Sequence, residues 1–305
     1  MLLIRPWIRM NRYRITEFHI VFFIFLVSNV GGCLTPIGDP PLFLGYLSGV
    51  PFFWTIAHLW MPWLLAVSGL LAIFYGFDRA NFLRAPRQIR EAETSESSWR
   101  IEGLLNIPLL GLILAGVFTR AVPALGEAMM ILAAIASYRL TPKPLHRANE
   151  FSLAPIREVA WLFAGLFATM PPALDYIAAH ASDLGLGSLS RLYWGSGVLS
   201  AVLDNAPTYL AFFSAALGPD RSALLDPASA GGFLTLHGRQ IMAISLGSVF
   251  FGAMTYIGNG PNLMVKAIAD HARVHTPTFL SYLFRFALPI LAPILALIGF
   301  LFARG

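Results

Sequence analysis

Gly32-Cys33-Leu34-Thr35-Pro36-Ile37-Gly38-Asp39-Pro40-Pro41 interrupts a long apolar stretch, and so does Gly252-Ala253-Met254-Thr255-Tyr256-Ile257-Gly258-Asn259-Gly260-Pro261. The two segments match at an offset of 220 residues, with the first Gly, the Thr, the Ile-Gly pair and the last Pro identical. Gly and Pro in the middle of an apolar helix free backbone amides and carbonyls, and hydrocarbon offers them no partner, at several kcal/mol each. Such a break persists only where it is buried in protein or faces a wet cavity. Helix-packing kinks account for one break as readily as a binding site does. Two matched breaks in the two halves of a chain point instead to a binding site between them.

The surroundings agree with a bilayer. The chain has 305 residues, 57% hydrophobic and only 12% charged. A soluble domain carries about 25% charged residues, so a soluble enzyme and a disordered protein are both excluded. The single cysteine, Cys33, excludes an internal disulfide and a cysteine-based zinc site. Apolar stretches long enough for spans, or for halves of interrupted spans, lie at 18–32, 54–77, 104–118, 122–138, 159–179, 189–217, 241–269 and 279–302. None alternates as a barrel strand does. The fold expected is an all-α polytopic membrane protein. Trp54, Trp60 and Trp63 are read as interfacial anchors.

Loop charge sets the orientation. Residues 1–14, 78–102 and 139–157 are rich in Arg and Lys, and they fall on one side if 18–45 counts as one crossing. The positive-inside rule makes these three loops cytoplasmic and places the chain in the cytoplasmic (inner) membrane. If 189–217 dips in and returns as a re-entrant hairpin, Lys266, Arg273 and Arg285 also fall inside, so sixteen of the 21 basic residues are then cytoplasmic. The +5 net charge is thus loop charge and implies no nucleic-acid partner. In this topology the first break runs outward and the second inward, which makes an inverted repeat. The organisation expected is a first repeat over 1–77, a connector over 78–102, and a second repeat over 103–305. The second repeat holds the hairpin 189–217, the broken helix 241–269 and the last helix 279–302.

Few ionisable residues lie inside the apolar stretches, and such residues default to function. Asp39 sits in the first break and Asp204 at the hairpin turn. Asn205, Asn259, Asn262, Asn29, Thr35, Thr208 and Thr255 add amides and hydroxyls, and Gly38 and Gly258 free the backbone at the breaks. Carboxylate, amide, hydroxyl and carbonyl oxygens are the ligands of a hard cation. The sodium site expected is Asp39, Asp204, Asn205 and Asn259. A carboxylate that takes either sodium or a proton is the minimum for exchange. Glu127, His58, Asp175, Lys266, Glu17 and His19 are read as residues of the membrane interface.

SNVGGCLTPIGDPPLFLGYLSGVPFFW, SAVLDNAPTYL and GAMTYIGNGPNLMVKAIA resemble the signatures of the ion transporter superfamily, in the branch of citrate transporters and NhaD-like sodium:proton antiporters. The resemblance covers essentially the whole chain. It implies two inverted repeats, each with a re-entrant hairpin and a broken helix, and a substrate site between hairpin tips and breaks. By motif the tip is Asp204-Asn205-Ala206-Pro207-Thr208, and the broken helices centre on Thr35–Pro41 and Thr255–Asn262. A homodimer with an elevator-like motion is also implied. Relatives carry a longer N-terminal region that includes the first hairpin's tip, so the first repeat is expected to be incomplete and Met1 to be an internal methionine.

The expected function is a secondary transporter with no enzymatic cofactor, exchanging sodium for protons. A di- or tricarboxylate transporter such as a sodium-coupled citrate carrier, and an inactive fragment of either, are the alternatives. An intramembrane aspartyl protease would need Asp39 and Asp204 as a proton-sharing dyad. The sequence around Asp39 lacks the Gly-x-Gly-Asp pattern.

Overall fold

The computed structural model describes residues 3–94, 103–119, 124–148, 153–180, 183 and 185–304, and every regular element among them is helical. Among the described residues three helical spans are long and apolar enough to cross a bilayer: Glu17–Leu34, Phe52–Arg84 and Phe279–Phe302. The chain forms two compact units, Met1–Arg90 with Leu162–Gly305, and Glu91–Trp161. Part of the connector (95–102), Val122 and the loop residues 149–152 lie outside the described residues.

In the smaller unit, α6 (Asn106–Phe118) and α7 (Leu125–Leu140) form a helical hairpin. Gly116 and Gly126 meet at one end, where a Cβ on Gly116 would stand 2.9 Å from the Gly126 carbonyl. At the other end Asn106 donates to Thr141 Oγ1 at 3.1 Å and accepts from Ser137 at 2.7 Å. Small residues and polar side chains hold helices together where lipid removes the hydrophobic drive for association.

The larger unit begins with α1 (Ile4–Met10) and α2 (Glu17–Phe23). α2 runs on through a π-helical turn, Ile24–Asn29, and a 3-10 turn, Val30–Leu34. The widened turn has a local cause: the Asn29 side-chain amide donates to the Ile24 carbonyl at 2.8 Å, five residues back. The first break leads into α3 (Pro40–Leu47) and the 33-residue α4 (Phe52–Arg84). α5 (Arg87–Thr94) and α9 (Ala154–Ala179) lead out of and back into this unit, α8 (Lys143–Ala148) belonging to the smaller one, and α10 (Leu189–Val202) and α11 (Asn205–Leu217) follow, joined by a tight turn at Leu203–Asp204. Then α12 (Pro227–Phe251), a 3-10 turn (Gly252–Met254), the second break and α13 (Gly260–His271) follow. The last span is α14 (Phe279–Tyr282), a π-helical stretch Leu283–Leu291 around Pro289, and α15 (Ala292–Phe302).

α10 and α12 pack closely because glycines face bulk across the contact. A Cβ on Gly197 would stand 2.7 Å from the Phe251 ring, and one on Gly247 2.5 Å from the Tyr193 carbonyl. Buried tyrosines tie this body together through hydroxyl-to-carbonyl bonds: Tyr193 to Leu295 at 2.8 Å, Tyr282 to Ala253 at 2.7 Å and Tyr256 to Pro277 at 3.0 Å.

Several boundaries differ from the sequence reading. The helix expected at 54–77 reaches Arg84, because its polar last turns pack on the segment before α2. There Asn81 donates to the Arg14 carbonyl at 2.9 Å and Asp78 pairs with Arg14. α12 starts at Pro227 rather than near 241, capped by Asp226, whose carboxylate accepts from the Ala228 amide at 3.1 Å. Trp54 is no lipid-facing anchor: it is buried and stacks on His58 with ring centroids 4.3 Å apart. Trp63 donates from Nε1 to the Gly31 carbonyl at 3.3 Å, beside the first break.

Candidate functional site

The two breaks follow one backbone course. Each begins with a 3-10 turn and an extended Thr, Thr35 at φ −132° and ψ 150° and Thr255 at φ −139° and ψ 168°. Each ends on an extended residue that opens the next helix, Asp39 at φ −151° and ψ 142° and Asn259 at φ −154° and ψ 133°. The matched glycines close each loop on itself. A Cβ on Gly258 would stand 2.6 Å from the Gly252 carbonyl, and Gly38 lies against Gly32 in the same way. Sequence identity at these positions therefore reflects a backbone contact with no room for a side chain.

Asp39 stands at the N-cap of α3 but makes no cap hydrogen bond. Its carboxylate turns instead toward the other half of the chain. Oδ1 accepts from Asn205 Nδ2 at 3.0 Å and from Asn259 Nδ2 at 3.4 Å. Asn259 Nδ2 also lies 3.0 Å from Asn29 Oδ1, and Asn29 Nδ2 donates to Asn262 Oδ1 at 2.8 Å. Asn262 Nδ2 then donates to the carbonyls of Gly252 and Thr255 at 2.8 and 2.9 Å. Asn29, Asn205 and Asn262 are fully buried, and Asp39 and Asn259 are nearly so. The amide chain thus supplies the donors that the second break's freed carbonyls require. It ends on one carboxylate, whose Oδ2 has no hydrogen-bond partner among the described residues, and neither has Asn205 Oδ1.

The other expected residues take different places. Asp204 is half-buried and caps α11 through the Ala206 amide at 3.2 Å. No hydrogen bond joins it to Asp39, so the proton-sharing dyad of a protease is not formed. Thr208 bonds back to the Asp204 carbonyl at 2.9 Å. Thr255 donates to the Ala201 carbonyl at 2.6 Å and accepts from the Ile257 and Gly258 amides at 3.1 Å, while the Asn205 amide donates to the Gly258 carbonyl at 3.1 Å. The α10–α11 turn is therefore clamped to the second break. Among the described residues Thr35 makes no side-chain hydrogen bond; its carbonyl accepts from the Gly38 amide at 2.9 Å.

The amino-terminal ends of α3, α11 and α13 all meet here, which brings positive dipole ends beside the carboxylate. The groups able to hold a cation are Asp39 and the neighbouring amide oxygens. Among the described residues no three His, Cys, Asp or Glu side chains come together as a transition-metal site would need.

One cluster was missed. His19, read from sequence as an interface residue, is fully buried. Its Nδ1 accepts from the Thr16 amide at 3.1 Å and its Nε2 lies 3.1 Å from Asp78, which also pairs with Arg14. The sequence signal was Thr16-x-x-His19, a capping box with His in the place of the usual Glu or Gln.

The family model described as "Putative citrate transport" matches residues 1–303. No curated protein and no solved structure matches the chain significantly. A buried polar cluster at broken helices, set in a polytopic helical membrane protein, is what a transporter of that kind calls for, and with a match over nearly its whole length this chain belongs to the citrate transport family, as a secondary transporter of the citrate/ion transporter kind.

Proposed function

We propose that the chain exchanges sodium for protons across the cytoplasmic membrane, with Asp39 as the group that takes either ion. The carrying observation is a buried carboxylate surrounded by amides, with one oxygen unbonded and a second unbonded oxygen on Asn205, to which it is already hydrogen-bonded. A buried carboxylate without a counter-charge is costly. A proton on Oδ2 relieves that cost, and so does a sodium ion between Oδ2 and Asn205 Oδ1, and the two exclude each other. In this reading the two breaks are the matched halves of an inverted repeat, 189–217 is a re-entrant hairpin, and loops 1–14, 78–102 and 139–157 are cytoplasmic. A homodimer is the assembly that goes with it.

A sodium-coupled carboxylate transporter is the second reading. The family's description favours it, and so do the three helix amino termini, which suit an anion. Purified protein in liposomes separates the two. Under antiport, added sodium collapses an imposed pH gradient and labelled citrate is not taken up. Sodium-dependent citrate uptake without gradient collapse rejects antiport in favour of the second reading.

A further inference from the structure

Five buried side-chain oxygens have no hydrogen-bond partner among the described residues: Ser28 Oγ, Asp39 Oδ2, Asn205 Oδ1, Ser245 Oγ and Ser248 Oγ. Two belong to the site above. Ser245 and Ser248 lie on α12 and lead toward it. Ser245, Ser248 and Gly252 recur at three- and four-residue spacing and so share one helix face. At one end of that face, the Cβ position of Gly252 lies 3.4 Å from Asn205 Nδ2. At the other end, Ser245 lies beside the hydroxyl of Tyr209, one turn beyond Asn205 on α11, with no hydrogen bond of normal geometry between the two. The face thus runs from Tyr209 to the site, between α11 and α12.

Four helix hydroxyls elsewhere in this chain bond back to the carbonyl four residues earlier. Ser48 does so to Leu44 at 2.8 Å, Ser68 to Leu64 at 2.6 Å, Thr169 to Gly165 at 2.8 Å and Thr235 to Gly231 at 2.9 Å. That bond is the default for a hydroxyl in apolar surroundings with no other partner. Ser245 and Ser248 are 1% and 0% exposed and do not make it. A buried hydroxyl left unpaired costs about 1–3 kcal/mol. Alanine would fill the same space without that cost. Hydroxyls that forgo their own helix and line up toward a buried carboxylate are partners for water, which satisfies such groups with two to four bonds of its own.

We propose that a file of water molecules runs between α11 and α12, from the Tyr209 hydroxyl past Ser245 and Ser248 to Asn205 and Asp39, and that protons reach Asp39 along it. Each oxygen in the file takes one proton and releases another, so none changes its net protonation, and the proton ends on Asp39 Oδ2. Gly45 of α3 leaves room for the Tyr209 hydroxyl at the far end, where any Cβ would collide with it. The water file stands on the orphan hydroxyls alone; its use as a proton route rests on the exchange reading above.

Heavy water is the probe. In protein with Cys33 replaced by Ala, Ser245→Cys, Ser248→Cys and Leu246→Cys are reconstituted in lipid and transferred to heavy water, and loss of the thiol S–H infrared band is followed. Leu246 is 0% exposed on the same helix. The expected result is exchange at positions 245 and 248 at least about tenfold faster than at 246, since a thiol exchanges only where water reaches it. Equal, slow exchange at all three positions overturns the file. Proton flux in Ser248→Ala tests the route separately. Slowed flux supports it, and unchanged flux beside fast thiol exchange leaves a hydrated groove and removes its role as the route. If Asp39→Asn leaves exchange activity intact, the antiport reading fails while the thiol result stands.

Discussion

Asp39 opens α3, yet its carboxylate accepts from Asn205 Nδ2 at 3.0 Å, across 166 residues of chain. An N-cap aspartate ordinarily turns back on its own helix, as Asp204 and Asp226 do. The bond to Asn205 instead ties the first break to the α10–α11 turn, and the amides of Asn259, Asn29 and Asn262 continue that tie through the second break. The site is therefore shared by both breaks and the turn, and the carboxylate inside its hydrogen-bond network comes from the first break.

This predicts different outcomes at the two aspartates. Asp39→Asn keeps an oxygen for Asn205 to bond but removes the charge, so sodium affinity falls by roughly 10- to 100-fold, the loss of one charged interaction worth about 1.5–3 kcal/mol. Proton coupling is lost with it. Asp204→Asn keeps an equally good helix cap and leaves exchange nearly unchanged. Sodium-driven dye response in liposomes reads both variants. Equal loss in the two would reject Asp39 as the sole exchanging carboxylate.

The breaks were legible in the sequence because Gly and Pro are rare signals inside apolar runs, and because the repeat copied them. The list of polar residues was legible for the same reason: Asp39, Asn205, Asn259, Asn262 and Asn29 are conspicuous among leucines and phenylalanines. Who bonds whom was not. Whether Asp39 meets Asn205 or Asp204 depends on the rotation of α11 about its axis, which neighbouring residues fix only through tertiary packing. The π-helical turns at Ile24–Asn29 and Leu283–Leu291 leave no periodic signature. The early start of α12 did leave one, in Asp226-Pro227, a cap followed by Pro at the first helical position. It was hidden by the polar residues His237, Arg239 and Gln240 in the following turns.

Asn262 donates twice to carbonyls that the second break has released. Asn262→Ala leaves both without that donor and should cost about 1–3 kcal/mol for each buried group left unpaired. Asn262→Asp removes the same donors and points carboxylate oxygens at the carbonyls, so it should be the more damaging of the two. Thermal unfolding in detergent orders them. Higher stability for Asp than for Ala would show that the amide is not acting as a donor.

The glycine contacts give a paired test. A Cβ at Gly258 would stand 2.6 Å from the Gly252 carbonyl and 2.7 Å from that of Ser200, both backbone atoms that cannot swing aside. Gly258→Ala should therefore lower stability by about 1–3 kcal/mol through forced backbone shifts. Gly260, two residues on, has nothing within 4 Å of the same position and begins α13. Gly260→Ala should cost clearly less than Gly258→Ala, because its one new crowding is with the neighbouring Pro261, whose ring disfavours a helical residue with a Cβ before it. Melting temperatures of the two variants should differ clearly, with that of Gly258→Ala the lower.

His19 separates a capping role from mere bulk. Its Nδ1 accepts from the Thr16 amide while Nε2 reaches Asp78 of α4, so one ring fixes the start of α2 and its seat on α4. A backbone N–H donor at Nδ1 places the ring proton on Nε2, facing the carboxylate that Arg14 also holds. Gln carries an acceptor and a donor on one side chain and is the usual residue at this position of a capping box. His19→Gln should therefore retain most of the stability, whereas His19→Ala loses a buried hydrogen bond to a charged group and should cost about 1.5–3 kcal/mol. His19→Phe keeps the ring's volume, and with it the packing against Trp7, Phe18 and Phe74, but keeps neither bond. If Phe protects as well as Gln in thermal unfolding, the ring is there for its volume and the capping argument fails.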